Sequence, residues 1–442
     1  MSIQKITESY PVLVLGAGPV GLAAAAQLAK AGLSFLVLEQ AEQVAAQVRQ
    51  WGHVKLFSPW RFNVDPASSA LLAKQGWQIP EQDSFPTGAE LVQQYLEPLA
   101  ALPQIAPYLR LSHQVKSISR LDTDRMKNHN RTRQPFVVLL DTPTGPQELL
   151  AAAVIDCTGT YQNPNPAGSH GLVALGEAEH QTQIFYGIVN KNKDSSRYVG
   201  QRVLVLGAGH SAFNSLQELV AIKRQYPGTE IHWAIRGTNL SKILGGGAKD
   251  QLKERGALGL LVGQWLQQGL ISLHTEFRLQ QLTKTTEGLV LSSAHHTLPA
   301  IDQLVVNTGF RPDFTPLSEI RLGLDPATQS PVALSSMIDP NEHSCGTVRP
   351  HGYLELSHPE ADFYIAGMKS YGRAPTFLLL TGYEQVRSIA AALAGDFESA
   401  QRVELSLPET GVCNTNFGAP KTASCADSTC TPKLKMKVGC CG

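Results

Sequence analysis

The sequence predicts an α/β chain built of two Rossmann-like dinucleotide-binding domains, the second inserted in the first, with a flexible C-terminal tail. Three observations predict it. A strand, a glycine-spaced turn and a helix occur twice, about 190 residues apart. Two further apolar strands each end in Thr-Gly, at Thr158-Gly159 and Thr308-Gly309, as if the chain left one domain and came back to it. After Leu407, bulky apolar residues give way to Pro, Thr, Ser, Lys and Cys, a composition that does not build a core.

The first unit opens with Val12-Leu13-Val14-Leu15, an apolar run of strand length. It breaks into Gly16-Ala17-Gly18-Pro19-Val20-Gly21 ahead of an alanine-rich helix, Leu22 to Lys30. Gly16 permits the tight turn, Gly18 lets a backbone approach a pyrophosphate, and Gly21 lets the helix pack on its strand. The amides at the helix start, around Pro19 and Val20, would hold the phosphates. A second strand, Phe35 to Leu38, ends at Glu39, 18 residues after Gly21. A carboxylate there accepts hydrogen bonds from both hydroxyls of an adenosine ribose.

Composition narrows the function classes. At 442 residues the chain is long enough for two or three domains with buried cores, and its 43% hydrophobic content is that of an ordinary soluble globular protein. Lys+Arg and Asp+Glu both total 37, so no net field draws in nucleic acid or an anionic membrane surface. Met1 to Tyr10 carries Lys5 and Glu8 without an apolar signal core, and no later stretch stays apolar for about 18 residues. The expected location is the cytoplasm. Five of the seven cysteines fall in the last 30 residues, too lopsided for a disulfide framework.

Beyond Glu39, Gln40 to Gln50 reads as a helical turn or two. Trp51 to Asp65 lacks regular periodicity and holds two Trp, two Phe and a His, so it reads as an ordered loop that either stacks on a planar ring or plugs a core edge. Glu90 to Ala101 reads as helix. Val115 to Leu121 and Phe136 to Asp141 read as strands around a solvated connection, 122–134. Ala153 to Tyr161 is a strand ending at Gly159, and Gln162-Asn163-Pro164-Asn165-Pro166 reads as a linker, with a domain boundary near residue 166.

The second unit repeats the first signal. Arg202 to Leu206 runs into Gly207-Ala208-Gly209-His210-Ser211-Ala212 and a helix from Ala212 to Gln225. Its next strand, Glu230 to Arg236, ends in arginine where the first ended in an acid. An acid repels a 2′-phosphate and a guanidinium grips one with two hydrogen bonds, so Arg236 points to NADPH over NADH. Gly245-Gly246-Gly247 through Gly259 reads as a flexible or closely approached loop. Leu270 to Leu282 and Leu289 to Leu298 read as strands, and Asp302 to Asp313 closes the unit with a strand ending at Gly309. Ala361 to Gly367 is a further strand, followed by a loop and an apolar helix, Thr376 to Leu393, whose N-terminus faces a ring edge or a ribityl chain.

Two fingerprints, two strands ending in Thr-Gly and a late strand ending at Gly367 together resemble the two-dinucleotide-binding-domain flavoproteins over about residues 10–400, and within them the flavin-containing monooxygenase branch. Thr158-Gly159 followed by Pro164 and Pro166 is similar to that branch's linker. Its identifying motif is present in reduced form, Gly176 to His180, with Ala174 in place of a Phe and the aromatics Phe185 and Tyr186 one or two places late. The resemblance implies an FAD-binding domain from 1–166 and 313–407, an NADPH-binding domain from 167–312, and a separate Cys-rich tail, 408–442. FAD would lie on Gly16, Gly18, Gly21 and Glu39, and NADPH on Gly207, Gly209, Ser211 and Arg236, with Gly159, His210, Ala212, Gly309, Gly367 and Phe377 as further cofactor-binding candidates. Ser58, Trp60, Arg61 and Asn63 are the candidates beside the reacting ring, with Arg373 to Phe377, including Thr376, beneath it.

The disulfide-reductase branch of the same superfamily places a CxxC or CxxxxC beside the flavin, and no such pair exists between residues 1 and 412. In the tail, Cys425, Cys430, Cys440 and Cys441 are candidate metal or metalloid ligands, because vicinal thiolates are soft donors. The function expected is an FAD-dependent, NADPH-consuming monooxygenase acting with dioxygen on a soft nucleophile, a small molecule or a metalloid as in arsenic resistance. An NADPH-dependent metal-ion reductase using Cys440 and Cys441, and a non-catalytic flavin redox sensor or metal buffer, are the alternatives. Oligomeric state is open, with a homodimer the form considered.

Overall fold

Apolar residues at all four positions of Val12–Leu15 (β1) leave no face for water, and the strand is buried on both sides at the centre of a sheet. The protein is described by a computed structural model covering residues 10–245, 247, 253–342, 348–375 and 377–405. From β1 the chain passes through the helix Pro19–Lys30 (α1) to Phe35–Leu38 (β2) and, after a long excursion, to Leu109–Arg110 (β3). Three antiparallel strands follow, Gln114–Arg120 (β4), Phe136–Thr142 (β5) and Gly145–Ala151 (β6), and then Ala153–Asp156 (β7).

The next strands, Ile184–Tyr186 (β8), Arg202–Leu206 (β9), Glu230–Ala234 (β10), Ser272–His274 (β11), the hairpin Gln281–Thr285 (β12) and Gly288–Ser292 (β13), and Gln303–Val306 (β14), build a second unit. It contains the helices His210–Gln225 (α2) and Lys253–Gln267 (α3). The chain then returns to the first sheet as Phe363–Ile365 (β15) and ends its described part with Leu379–Leu393 (α4) and a short helix, Phe397–Gln401.

Both sheets are parallel and have the same plan. The first runs β15-β7-β1-β2-β3 and the second β11-β10-β9-β14-β8. Each is packed differently on its two faces. Val12 and Val14 join the core under α1 and α4, whereas Leu13 and Leu15 meet Ile118, Phe136 and Val138 of the antiparallel sheet. In the second unit, Val203 and Val205 face the helices and Leu204 and Leu206 face the β12-β13 hairpin. The units are joined by two segments that lie side by side and share an antiparallel bridge, Pro164 with Phe310. The Asn165 amide donates to the Gly309 carbonyl at 2.9 Å, the Arg311 amide to that of Asn163 at 3.0 Å, and Tyr161 stacks on Phe310.

Several boundaries differ from the sequence reading. α1 starts at Pro19 instead of Leu22, since proline at the first helical position is preset for the helix, and α2 starts at His210 instead of Ala212, with Gly209 as its cap. The glycine-rich stretch is not loop as far as Gly259. α3 begins by Lys253, and Gly259 is a packing glycine: a Cβ there would sit 2.0 Å from the Leu244 carbonyl oxygen. The expected long strands over 270–298 are three short ones, because Glu276 takes a left-handed conformation (φ 57) and Phe277 and Leu279 drop into the core as loop residues. The helix expected from Thr376 starts at Leu379. Leu378 is extended, as Phe377 packs on Tyr371 and against Gly382. The connection 122–134 is only partly solvated: Arg131 is buried, and with Arg120 it clasps the buried Glu360 carboxylate at 2.6 and 2.9 Å. No helix among the described residues is long and apolar enough to cross a membrane.

Candidate functional site

In each sheet the middle strand is flanked by strands reached in opposite directions, and the crevice at its C-terminal end is where such folds take ligands. The first crevice is formed at Gly16, in a left-handed conformation (φ 90) against the backbone of Cys157 and Thr158. A Cβ on Gly21 would lie 1.9 Å from the Gly16 carbonyl oxygen, so only glycine lets α1 start this close to the turn. Gly18 has the opposite surroundings: nothing lies within 4 Å of where its Cβ would be. That open side, at the first amides of α1, has the shape and polarity for a pyrophosphate.

Glu39 follows β2 and turns back to this crevice. Its Oε2 accepts from the Ala17 amide at 2.8 Å and its Oε1 from the Ala41 amide at 2.9 Å. Each carboxylate oxygen keeps a second lone-pair direction, enough to receive a pair of ribose hydroxyls. Val20, Gly367 and Phe377 close the same end: a Cβ on Gly367 would be 3.3 Å from Val20, and one on Gly382 would meet both Val20 and Phe377 within 2.7 Å. Gly159, left-handed at φ 70, stands open beyond Thr158. Thr376 lies outside the described residues, as do Cys425, Cys430, Cys440 and Cys441.

The second crevice repeats the first. A Cβ on Gly207 would lie 2.2 Å from the Asn307 carbonyl oxygen, and Gly209 has an open side. Trp233, fully buried, donates its indole N–H to the Gly207 carbonyl at 2.7 Å and holds the turn in place. His210, Ser211 and Ala212 form the first turn of α2. Arg236 stands two residues past β10, exposed, with only a long 3.5 Å contact from its Nη1 to the Ser169 carbonyl, so its fork is available to an anion. Gly309 belongs to the paired linkers.

The four loop candidates part company. Trp60 is 3% exposed and lies in the first core, filling it instead of offering a face to a ring. Asn63 is fully buried and its amide is spent: Nδ2 donates to the Ser58 and Pro59 carbonyls at 2.7 and 3.0 Å, and Oδ1 accepts from the Ser58 hydroxyl at 2.7 Å. Arg61 is exposed and paired with Asp83. Ser58 and Asn63 therefore act as a brace within the loop. Tyr383 of α4 donates to the Asn63 carbonyl at 2.8 Å and fixes the brace to the helix.

Sequence pattern alone does not point to Lys369, 4% exposed, whose Nζ donates to Asp156 Oδ2 at 2.6 Å and Thr158 Oγ1 at 3.1 Å behind the first crevice. Nor does it single out His53, Lys55 and Phe57, which cross from the first unit to the second. Cys157, the one cysteine among the described residues, is buried beside Gly21, and burial, with the Asp156 carboxylate adding to it, pushes its thiol well above the usual range.

The profile of the family described as pyridine nucleotide-disulphide oxidoreductase matches residues 13–337. An indole-3-pyruvate monooxygenase, YUCCA1 of Oryza sativa subsp. japonica, is 27% identical over 205 residues, which is 45% of this chain and 42% of that protein. The chain spans about half the length of the curated relatives it matches. Among solved structures, the bacillithiol disulfide reductase from Bacillus cereus superposes with a TM-score of 0.65 at 19% identity, covering 87% of this chain and 99% of that one. A flavin-containing monooxygenase from Stenotrophomonas maltophilia does so with a TM-score of 0.58 at 18% identity, covering 87% and 98%. At those identities the likeness is one of fold.

Proposed function

We propose that this chain, which belongs to the pyridine nucleotide-disulphide oxidoreductase family, is an oxidoreductase that holds FAD in the first crevice and draws reducing equivalents from NADPH at the second. It uses them to place an oxygen atom from dioxygen on a soft nucleophile. When bound, FAD supplies the redox chemistry. The chain's own residues bind and orient. Gly18 and the start of α1 receive the pyrophosphate, Glu39 receives the ribose, and Gly367 and Phe377 bound the far end. Gly207, Gly209 and the first turn of α2 receive the second pyrophosphate, and the Arg236 fork grips the 2′-phosphate.

One observation favours oxygen transfer over thiol relay. Disulfide exchange needs a thiolate that can be reached, and Cys157 is buried with its thiol held protonated, without a second cysteine among the described residues. NADPH oxidation by the purified holoenzyme should consume dioxygen and yield an oxygenated product in step when a soft nucleophile is added. Undiminished turnover in the absence of oxygen with a low-molecular-weight disulfide would defeat this reading.

The five cysteines of the last 30 residues support a narrower substrate, a thiophilic metal or metalloid presented by Cys425, Cys430, Cys440 and Cys441. NADPH oxidation stimulated by such an ion without oxygen, and lost in Cys440→Ser/Cys441→Ser, would favour the metal-ion reductase instead.

A further inference from the structure

Loop 53–57 of the first unit reaches across to the second. His53 Nε2 donates to the Val189 carbonyl at 2.8 Å, Lys55 pairs with Glu254 of α3 at 3.2 Å, and the Phe57 ring meets His210 edge-on with centroids 5.0 Å apart. Between this loop, α2 and α3 lies a cavity of about 270 Å³. No fingerprint glycine, nor Glu39 or Arg236, is among its described lining residues. The volume falls just below the roughly 300–1,000 Å³ of pockets that take drug-sized ligands, so its occupant is a compact molecule.

The two helical walls differ in chemistry. From α2 come Asn214, Gln217 and Glu218, whose spacing puts them on one face; from α3 come Leu258 and Leu261, and Phe57 extends that apolar side. The polar wall is rich in acceptors. Glu218 accepts from the Lys191 amide at 3.0 Å through Oε2 and has Oε1 to spare. The side chains of Asn214 and Gln217 make no hydrogen bond among the described residues. His53 also lines the cavity: a carbonyl can only accept, so its Nε2 donates to Val189 and holds the loop against the second unit. Two carboxylates against one ammonium, Glu218 and Glu254 against Lys55, leave the lining one negative charge in excess.

We propose that this cavity binds a small organic ammonium ion with an apolar tail, its N–H groups on Glu218 and its tail on Phe57 and Leu258. The site is separate from the two crevices and goes beyond the oxygenase reading.

Titration calorimetry of the full-length, FAD-bound protein tests it, with 2-phenylethylammonium and its neutral counterpart 2-phenylethanol as probes. The ammonium should bind one to one and the alcohol about tenfold more weakly, as loss of a hydrogen bond to a charged group entails. Glu218→Gln should weaken the ammonium about tenfold with flavin content unchanged. Ala257→Trp, at an exposed position on the cavity wall, should abolish binding by filling the space, and reads the same property should the first variant fold poorly. Equal binding of the two probes, absence of binding, indifference to both variants, or one-for-one displacement by NADP⁺ would each overturn the assignment.

Discussion

Lys369 and Asp156 form an ion pair at 2.6 Å with side chains only 4% and 2% exposed, and it ties the turn after β15 to the end of β7. The two residues are 213 apart in sequence, so the pair fastens the returning chain to the part laid down before the second unit. Removing one partner strands the other charge where water cannot reach it, which costs about 3–5 kcal/mol. Lys369→Met should lower stability by that order in a denaturant titration. Asp156→Asn/Lys369→Met should lose less than the two single variants together, since neither charge is then left alone.

Gly18 and Gly21 make opposite predictions although they are three residues apart. A methyl at Gly21 collides with the Gly16 carbonyl, so Gly21→Ala should cost at least about 1–3 kcal/mol and lower the melting temperature of flavin-free protein. A methyl at Gly18 meets nothing of the protein, so Gly18→Ala should melt normally without flavin and retain less FAD when purified. Visible absorbance per protein, read beside the melts, separates the two.

Arg236→Glu should raise the KM for NADPH far more than that for NADH, because it exchanges attraction for repulsion at the 2′-phosphate alone. Steady-state kinetics with both nucleotides check it, and equal changes would take Arg236 out of the nucleotide site.

A histidine pair sets a pH limit on the second unit. His232 Nδ1 and His274 Nε2 are 3.1 Å apart on adjacent strands with stacked rings. Burial first, and then the His274 charge, hold His232 below the usual 6.5, with Glu230 opposing; burial lowers His274 likewise. Unfolded imidazoles take up protons as pH falls through about 6.5 while the folded pair does not. The pair's contribution is therefore complete above that pH and is lost as pH falls toward the lowered folded values. His232→Phe/His274→Leu should flatten the melting temperature between about pH 7 and pH 5 relative to the parent protein.

What could be read from the sequence was what is local. The strand, turn and helix at Val12 to Lys30 announce themselves because the constraints on Gly16, Gly18 and Gly21 are met within one turn of backbone, and Arg236 stands out by contrast with Glu39. Gly259 misled because a glycine that lets α3 approach Leu244 looks, in one dimension, like a glycine that loosens a loop. For Trp60 the sequence left stacking and core-plugging both open, because the core it joins is assembled from elements spread along the chain, α1 and α4 among them. Lys369, Glu360 and His53 gave no signal, since each has meaning only through partners more than 100 residues distant.

The side-by-side segments around Pro164 and Phe310 give the second unit a single doorway, in which entrance and exit are hydrogen-bonded to each other. A stretch with both ends at one place is a natural cassette. Excising it and closing the gap with a short turn should leave β15, β7 and β1 adjacent, and the corresponding segment of a distant cousin should be transplantable at the same two seams.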